Sequence, residues 1–357
     1  MSDLYYLCAR LRAMRAQLLS RREFEGILTL PDLSSIAAAL RDSPYGQYME
    51  STGGEMPEAA RIEEALRRNV SQTLARLLAI STGDCAEAVR LVLGRWEVQA
   101  VKTILRGKIS GASPAEILSS LVPTGLHDEA ALEEMCRQAD PRALAELMVT
   151  WREPWGPPLL RALPSFREPR DLAVLESALD RCWVEHAAER LREIRPSPAG
   201  SDGEDALSLF VSLSVDTINL MTALKEVGDR IVPVNRDRYL LPGGRIFDEG
   251  ALDRIRVSPT LAEALQEAGK SLFLRPLAAL PAPAEGVSFL AVVERQMERV
   301  LLRALRYLAR VDPLGWGPLV SFLLDKLREV RNLRMIVRAR LVDLPEAELG
   351  HLLILEY

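Results

Sequence analysis

Few side chains in this sequence are spaced for chemistry. The three histidines, His127, His186 and His351, stand alone. No H-x-x-H or H-E-x-x-H pair sets two imidazoles on one helix face for a metal, so each reads as a surface or hydrogen-bonded histidine. The four cysteines, Cys8, Cys85, Cys136 and Cys182, include no C-x-x-C. Neither a zinc site nor a disulfide framework is expected of them, and they read as small buried hydrophobes. There is no P-loop, no G-x-G-x-x-G and no G-x-S-x-G. Leu240-Leu241-Pro242-Gly243-Gly244 lacks the Lys-Ser/Thr of a phosphate cradle and reads as a turn. Acids abound, but as solvated faces with arginine partners rather than as isolated pairs in apolar settings. No catalytic residue, metal ligand or cofactor is expected.

The arginine stripes are the one unusual signal. Lys326, Arg328, Arg331, Arg334, Arg338 and Arg340 face only Asp325 and Glu329 within the same stretch. Near the N-terminus, Arg10, Arg12 and Arg15 share a helix without an acidic partner in it. Arg10, Arg12, Arg15, Arg331, Arg334 and Arg338 are the candidate interface residues. Three readings compete: a solvated face with ion pairs between repeats, an acidic protein partner, or an RNA backbone. The absence of stacking aromatics between the cations weakens the RNA reading.

These cations sit on a repeated helix. Glu329-x-x-Asn332-Leu333-Arg334-x-Ile336-x-Arg338 overlies an apolar stripe of Leu323, Leu327, Val330, Leu333 and Val337, the spacing of a buried helix. Asp216-x-x-Asn219 with Lys225, Glu97-x-x-Ala100 with Arg106, and more weakly Tyr6-x-x-Ala9 with Arg15 repeat it. The copies recur at roughly hundred-residue intervals, which means repeated domains rather than solenoid units of a few tens of residues. A second match supports this: Pro242-Gly243-Gly244 then Asp248-Glu249-Gly250-Ala251-Leu252 parallels Pro123-Thr124-Gly125 then Asp128-Glu129-Ala130-Ala131-Leu132. An Asn inside an apolar helix disfavours that helix, so Asn219 and Asn332 are expected to be buried and bonded to neighbouring segments.

Composition agrees with helices. Apolar residues make up 48% and aromatics only 5%, with a formal net charge of −5 that gives no global pull toward nucleic acid or anionic membrane. The N-terminus has no apolar signal-peptide core. The longest uncharged stretch, Pro313–Leu324, falls short of the ~20 residues of a spanning helix, so a cytoplasmic protein is expected. Ser20/Glu23 and Ser113/Glu116 read as capping boxes. Pro44-Tyr45-Gly46 and Pro154-Trp155-Gly156 read as matching sharp turns. Long helices are expected at 57–78, 171–195 and 288–310. A little irregular strand fits 230–241, linkers fit 196–205 and 276–286, and a short last helix follows Leu344. The expected domains are 1–83, 84–202 and 203–357, the last including the closing fourth repeat helix. The first repeat and the fourth are both incomplete. The economical arrangement packs the N- and C-terminal segments together, with the arginines of their helices near one another and an acidic partner offsetting the repulsion.

Tyr6-x-x-Ala9-Arg10-Leu11-Arg12-Ala13-Met14, the Pro44-Tyr45-Gly46 turn and Glu329-x-x-Asn332-Leu333-Arg334-x-Ile336 together resemble the C subunit of the V-type (archaeal-type) ATPase/ATP synthase, which is similar to the eukaryotic d subunit. The resemblance spans the chain. Ala9 and Ala100 depart from it where Asn would stand, and Pro154-Trp155-Gly156 is an altered turn. The resemblance implies an all-α fold of three related domains in a pseudo-three-fold funnel. It implies a non-catalytic rotor part without a cofactor, peripheral to the membrane. Such a part caps the proteolipid rotor ring and receives the D- and F-type subunits of the central shaft. Two other classes stand beside it: a helical nucleic-acid-binding or scaffold adaptor, and an enzyme whose site lies in loops such as 230–245.

Overall fold

The structure is a computed structural model and describes residues 2–50, 56–167, 172–195, 205–229, 239–271, 274–278, 289–344, 349–350 and 353–355. Those residues form an all-α fold, with no β-strand among them. In chain order the helices are α1 (Ser2–Arg15), α2 (Arg21–Leu28), α3 (Leu33–Arg41), α4 (Gly46–Glu50), α5 (Glu58–Ile80), α6 (Gly83–Ser110), α7 (Pro114–Ser120), α8 (Glu129–Arg137) and α9 (Pro141–Thr150). They continue with α10 (Gly156–Ala162), α11 (Leu172–Glu193), α12 (Ala206–Asp229), α13 (Glu249–Arg256), α14 (Leu261–Ala268), α15 (Arg275–Ala278), α16 (Phe289–Val311) and α17 (Gly317–Leu341). The four repeat helices are therefore α1, α6, α12 and α17, and the three long helices expected between them are α5, α11 and α16.

The chain divides into two compact units. The N-unit comprises Met1–Ala13 and Ala37–Pro196, and the C-unit comprises Met14–Ile36 and Ser197–Tyr357. Within the N-unit α6 packs on α11, α7 and α5, while α10 packs on α9 and α11. Within the C-unit α12 is the hub, touching α13, α14, α16 and α17, and α16 also packs on α17 and α15. The same pairing recurs: a repeat helix lies against the long helix that closes its repeat, α6 with α11 and α12 with α16.

Local signals set the helix ends. Ser20/Glu23 and Ser113/Glu116 form the capping boxes, each Ser accepting the amide of its Glu while the Glu accepts the Ser amide. Asp128, Asp140, Asp248 and Thr260 cap α8, α9, α13 and α14 through their side-chain oxygens. α6 runs unbroken through Gly94 and Gly107 and ends at Gly111 with φ 76°. Gly107 serves packing, since a Cβ there would lie 2.4 Å from Ile117 Cγ1.

α12 contains the stretch Ala206–Gly228, long and apolar enough to cross a membrane at a mean hydropathy of 1.5. Of its most apolar window, 72% is buried inside the protein, which marks a core helix. The expected strand and linkers, the last helix and His351 lie wholly or largely outside the described residues.

One device recurs at three turns. Tyr45, Trp155 and Trp316 are buried, and each precedes a glycine that opens a helix. A Cβ on Gly46 would lie 2.3 Å from the Arg41 carbonyl oxygen, on Gly156 2.7 Å from the Val149 nitrogen, and on Gly317 2.7 Å from the Ala309 Cα. The aromatic anchors the turn while the missing side chain lets the new helix start against the backbone of the preceding one. The two turns matched in the sequence share this device, and Trp316-Gly317 is a third instance. Replacing Gly317 by Ala is expected to cost about 1–3 kcal/mol through forced backbone movement. A urea denaturation midpoint unchanged from the parent would contradict it.

Candidate interface residues and the buried acids behind them

The arginine stripe of α17 is not a solvated face. Lys326, Arg328 and Arg334 are buried, Arg331 is half-buried and Arg338 is exposed. Arg331 bonds to Glu298 of α16, which also takes Arg295 at 2.7 Å. Burial works against ionisation of Glu298, but Arg331 and Arg295 outweigh it and hold the carboxyl below the usual range. Arg340 donates to the Leu28 carbonyl at 2.6 Å and to the Leu30 carbonyl at 3.0 Å. These cations hold the C-unit together internally.

The six candidates divide between the units. Arg10, half-buried, and Arg12, exposed, belong to the N-unit. Arg15 belongs to the C-unit with Arg331, Arg334 and Arg338. Arg15 reaches Asp325 at 2.5 Å and Ser321 at 3.2 Å, so the end of α1 lies against α17. A carboxylate that offsets Arg15 is supplied by α17 itself. Asp325 also takes Arg306, and Arg328 at 3.3 Å.

The residues that organise these contacts are acids whose role the sequence does not reveal. Each stands three positions before the repeated Asn or Ala. Asp216 accepts the backbone amides of Arg245, Ile246 and Phe247 at 2.8, 2.9 and 3.2 Å. Burial pushes its carboxyl up and the three amides pull it part of the way back, leaving it above the usual range. Gly244 makes this possible, since a Cβ there would lie 2.5 Å from Asp216 Oδ1. Glu329 accepts the Leu19 amide at 2.6 Å and the Lys326 ammonium at 2.8 Å. Glu97 accepts from the Thr124 hydroxyl and lies 2.7 Å from His127 Nδ1. Leu19, His127 and Phe247 each directly precede a helix N-cap: Ser20, Asp128 and Asp248. In three repeats, then, the acid of a repeat helix captures the residue that leads into a capped helix. The only sequence signal for this is the acid in E/D-x-x-N, which helical spacing alone does not separate from an ordinary face residue.

The asparagines do what their burial demands. Asn219 Nδ2 donates to the Leu241 carbonyl and Asn219 Oδ1 accepts the Leu241 amide, both at 2.8 Å. Asn332 Nδ2 donates to the Ile354 carbonyl at 2.9 Å and Asn332 Oδ1 accepts the Ile354 amide at 3.4 Å. Each side chain completes a loop backbone as a neighbouring strand would. Asn332→Leu would leave that backbone pair buried without partners. A loss of about 1–3 kcal/mol in unfolding free energy is expected, and an equal midpoint in chemical denaturation would refute it.

His127 is a hydrogen-bonded histidine, its second nitrogen lying 3.0 Å from Glu153 Oε1. Burial pulls its pKa down, but the hydrogen bonds and charges of Glu153 and Glu97 overcome this and raise it to about 10. An unfolded histidine titrates near ~6.5, so the stabilisation is fully present below that pH. It is lost as pH rises toward 10. The melting temperature of the parent is expected to converge on that of His127→Gln across this window. A constant gap between the two from neutral pH to pH 10 would count against the charged bridge.

Among the described residues no group of His, Cys, Asp and Glu could hold a metal ion. Cys8, Cys85 and Cys136 are buried and Cys182 is half-buried, and burial pushes the thiols of Cys85, Cys136 and Cys182 up to about 11, consistent with inert packing residues.

This frame of repeated helices and docked loops has known relatives. Residues 7–352 match the family described as ATP synthase (C/AC39) subunit. The V-type ATP synthase C subunit of Thermus thermophilus is 31% identical over 352 residues, covering 97% of this chain and 97% of that protein. The A-type ATP synthase C subunit of Haloferax volcanii is 29% identical, covering 98% of this chain and 97% of its own. That of Methanocaldococcus jannaschii is 22% identical over 98% of this chain and 86% of its own. With the match running through all four repeat helices, the chain belongs to the ATP synthase (C/AC39) subunit family.

Proposed function

We propose that this chain is a non-catalytic central-stalk subunit of a rotary V/A-type ATP synthase, peripheral to the membrane on its cytoplasmic side. In this reading it caps the proteolipid rotor ring and forms the socket for the D- and F-type shaft subunits, carrying torque between them. The observation that carries the reading is the family match through residues 7–352. Domains at 1–83, 84–202 and 203–357, arranged as a pseudo-three-fold funnel, belong to the same proposal. The ties from Arg15 and Leu19 to α17 support it, because they join N-terminal and C-terminal segments as a closed arrangement requires. A torque-bearing part must resist shear. Buried charge-assisted bonds such as Lys102 to Asp180 and Arg256 to Glu226 suit that demand, since each fixes one side-chain geometry.

The arginine stripe gives no support to a nucleic-acid adaptor. Arg15 and Arg331 are engaged with carboxylates and Arg334 is buried, which leaves little of the stripe for a phosphate backbone.

The rotor assignment has a mechanical test. In the purified ATPase complex, an engineered disulfide between this chain and the shaft is expected to leave ATP hydrolysis intact, because the two turn together. A disulfide to a stationary stalk is expected to stop coupled hydrolysis, with recovery on reduction. Arrest by the shaft tie, or turnover through the stator tie, would overturn the assignment. The chain purified alone is expected to show no ATP hydrolysis.

A further inference from the structure

The two sides of α1 differ sharply. Leu4, Leu7, Cys8 and Leu11 are buried, at the spacing that turns one side of a helix inward. The Thr82 hydroxyl donates to Asp3 at 2.9 Å and pins the start of the helix. Tyr6, Ala9 and Ala13 therefore run along the opposite side, with Arg10 on one flank and Tyr5 and Arg12 on the other. Tyr5 is 41% and Tyr6 54% exposed. Ala9, Arg12 and Ala13 are exposed as well, and Arg10 is half-buried.

The other repeat helices bury this side. The places of Tyr6, Ala9 and Ala13 are taken by Asp216, Asn219 and Ala223 in α12 and by Glu329, Asn332 and Ile336 in α17, all of them buried. In α6 the first and third places hold Glu97 and Ile104, buried too. The cover in each case includes a segment running into a capped helix: the loop from Leu241 to Phe247 before α13, Leu19 before α2, and Thr124 with His127 before α8. The segment that follows α1 in the chain is itself held by α17, through Leu19 on Glu329.

The chemistry of the uncovered side also differs. Tyr6 stands where the capturing acid would be and Ala9 where the Asn would be, so this helix offers no clamp for a loop backbone. In their place are two cations. Among the described residues neither Arg10 nor Arg12 has an acidic partner, and Arg10 Nε is buried without a hydrogen bond. Guanidiniums repel the positive N-terminus of a helix and attract carboxylates. Tyr and Arg are the side chains on which protein interfaces most often anchor, and alanines between them let a second helix axis come close. Two cations are too few for the roughly six to ten phosphate contacts of a nucleic-acid site.

We propose that the outward side of α1 docks an acidic amphipathic helix of a partner protein, whose apolar ridge lies over Tyr6, Ala9 and Ala13 and whose flanking carboxylates meet Arg10 and Arg12. The face is covered whether that partner turns or stands still, so the disulfide ties that test the rotor assignment do not decide this docking. Ala9→Cys sets a thiol in the middle of the face. In the isolated chain a maleimide is expected to label it at the rate of an exposed thiol, counted above the parent chain. In the purified ATPase complex labelling is expected to be at least about tenfold slower, the loss of access that a docked helix imposes. A photoactivated cross-linker on Arg12→Cys is expected to capture an Asp- or Glu-rich helix of another subunit. Arg10→Glu combined with Arg12→Glu is expected to weaken association of the chain with the rest of the complex by about tenfold or more at low salt, with the difference shrinking as salt rises. Arg12→Glu alone, at an exposed position, is expected to weaken it by about threefold or more and decides the matter if the double variant fails to fold. The proposal is overturned by equal labelling of Ala9→Cys in the complex and in the isolated chain. A cross-link only to a second copy of this chain or to nucleic acid overturns it too, as does association that Arg12→Glu leaves unchanged at low salt.

Discussion

A buried carboxylate that captures the backbone entering a capped helix is the constraint on which the rest of this fold depends. Asp216 holds three consecutive amides of the segment before α13, and Glu329 holds the amide of Leu19 before α2. Glu97 does the equivalent work before α8 through Thr124 and His127. A repeat helix alone is only a partly apolar cylinder. With its acid satisfied it fixes the path of the next loop, and the loop sets where a helix starts and which face it turns inward. An ionised carboxylate in such a place is tolerable only with several donors, so acid and loop geometry constrain each other.

The Asn three residues on adds a second clamp on the same helix face. Asn219 and Asn332 each pair with both backbone groups of a residue far along the chain, Leu241 and Ile354. Where the repeat has Ala100 instead, the helix face relies on side chains: the Glu97–His127–Glu153 bridge, and Lys102 with Arg95 on Asp180. One architectural task is thus met by backbone capture in the C-unit and by side-chain bridges in the N-unit. The second solution depends on protonation of His127, which gives the N-unit a sensitivity to alkaline pH.

The repeat also explains why the ends of the chain meet. α17 carries the acid and the Asn of a full repeat. The capped helix comes from the beginning, as α2, with Leu19 on Glu329 and the carbonyls of Leu28 and Leu30 on Arg340. Residues 14–36 accordingly belong to the C-unit although they stand near the N-terminus. Arginine at positions 15, 306 and 328 is the electrostatic counterpart of this junction, gathered on Asp325 rather than spread on a surface.

Much of this was legible in the sequence. Apolar residues at helical spacing, capping boxes, prolines at helix starts and the recurrence of E/D-x-x-N establish an all-α chain of repeats, because these signals act within a few residues and their energetics are local. The burial of Asn219 and Asn332 followed from the cost of an amide in an apolar stripe. The partners of the charges did not follow. Arg331 and Lys326 look like a solvated face until Glu298 and Glu329 are brought to them across tens of residues or a turn of helix. Asp216 looks like an ordinary helix acid until a loop with Gly244 closes on it. Periodicity states which face is inward but not which segment lies opposite. That choice depends on loop paths and on satisfying every buried polar group at once, and only the assembled tertiary structure makes it.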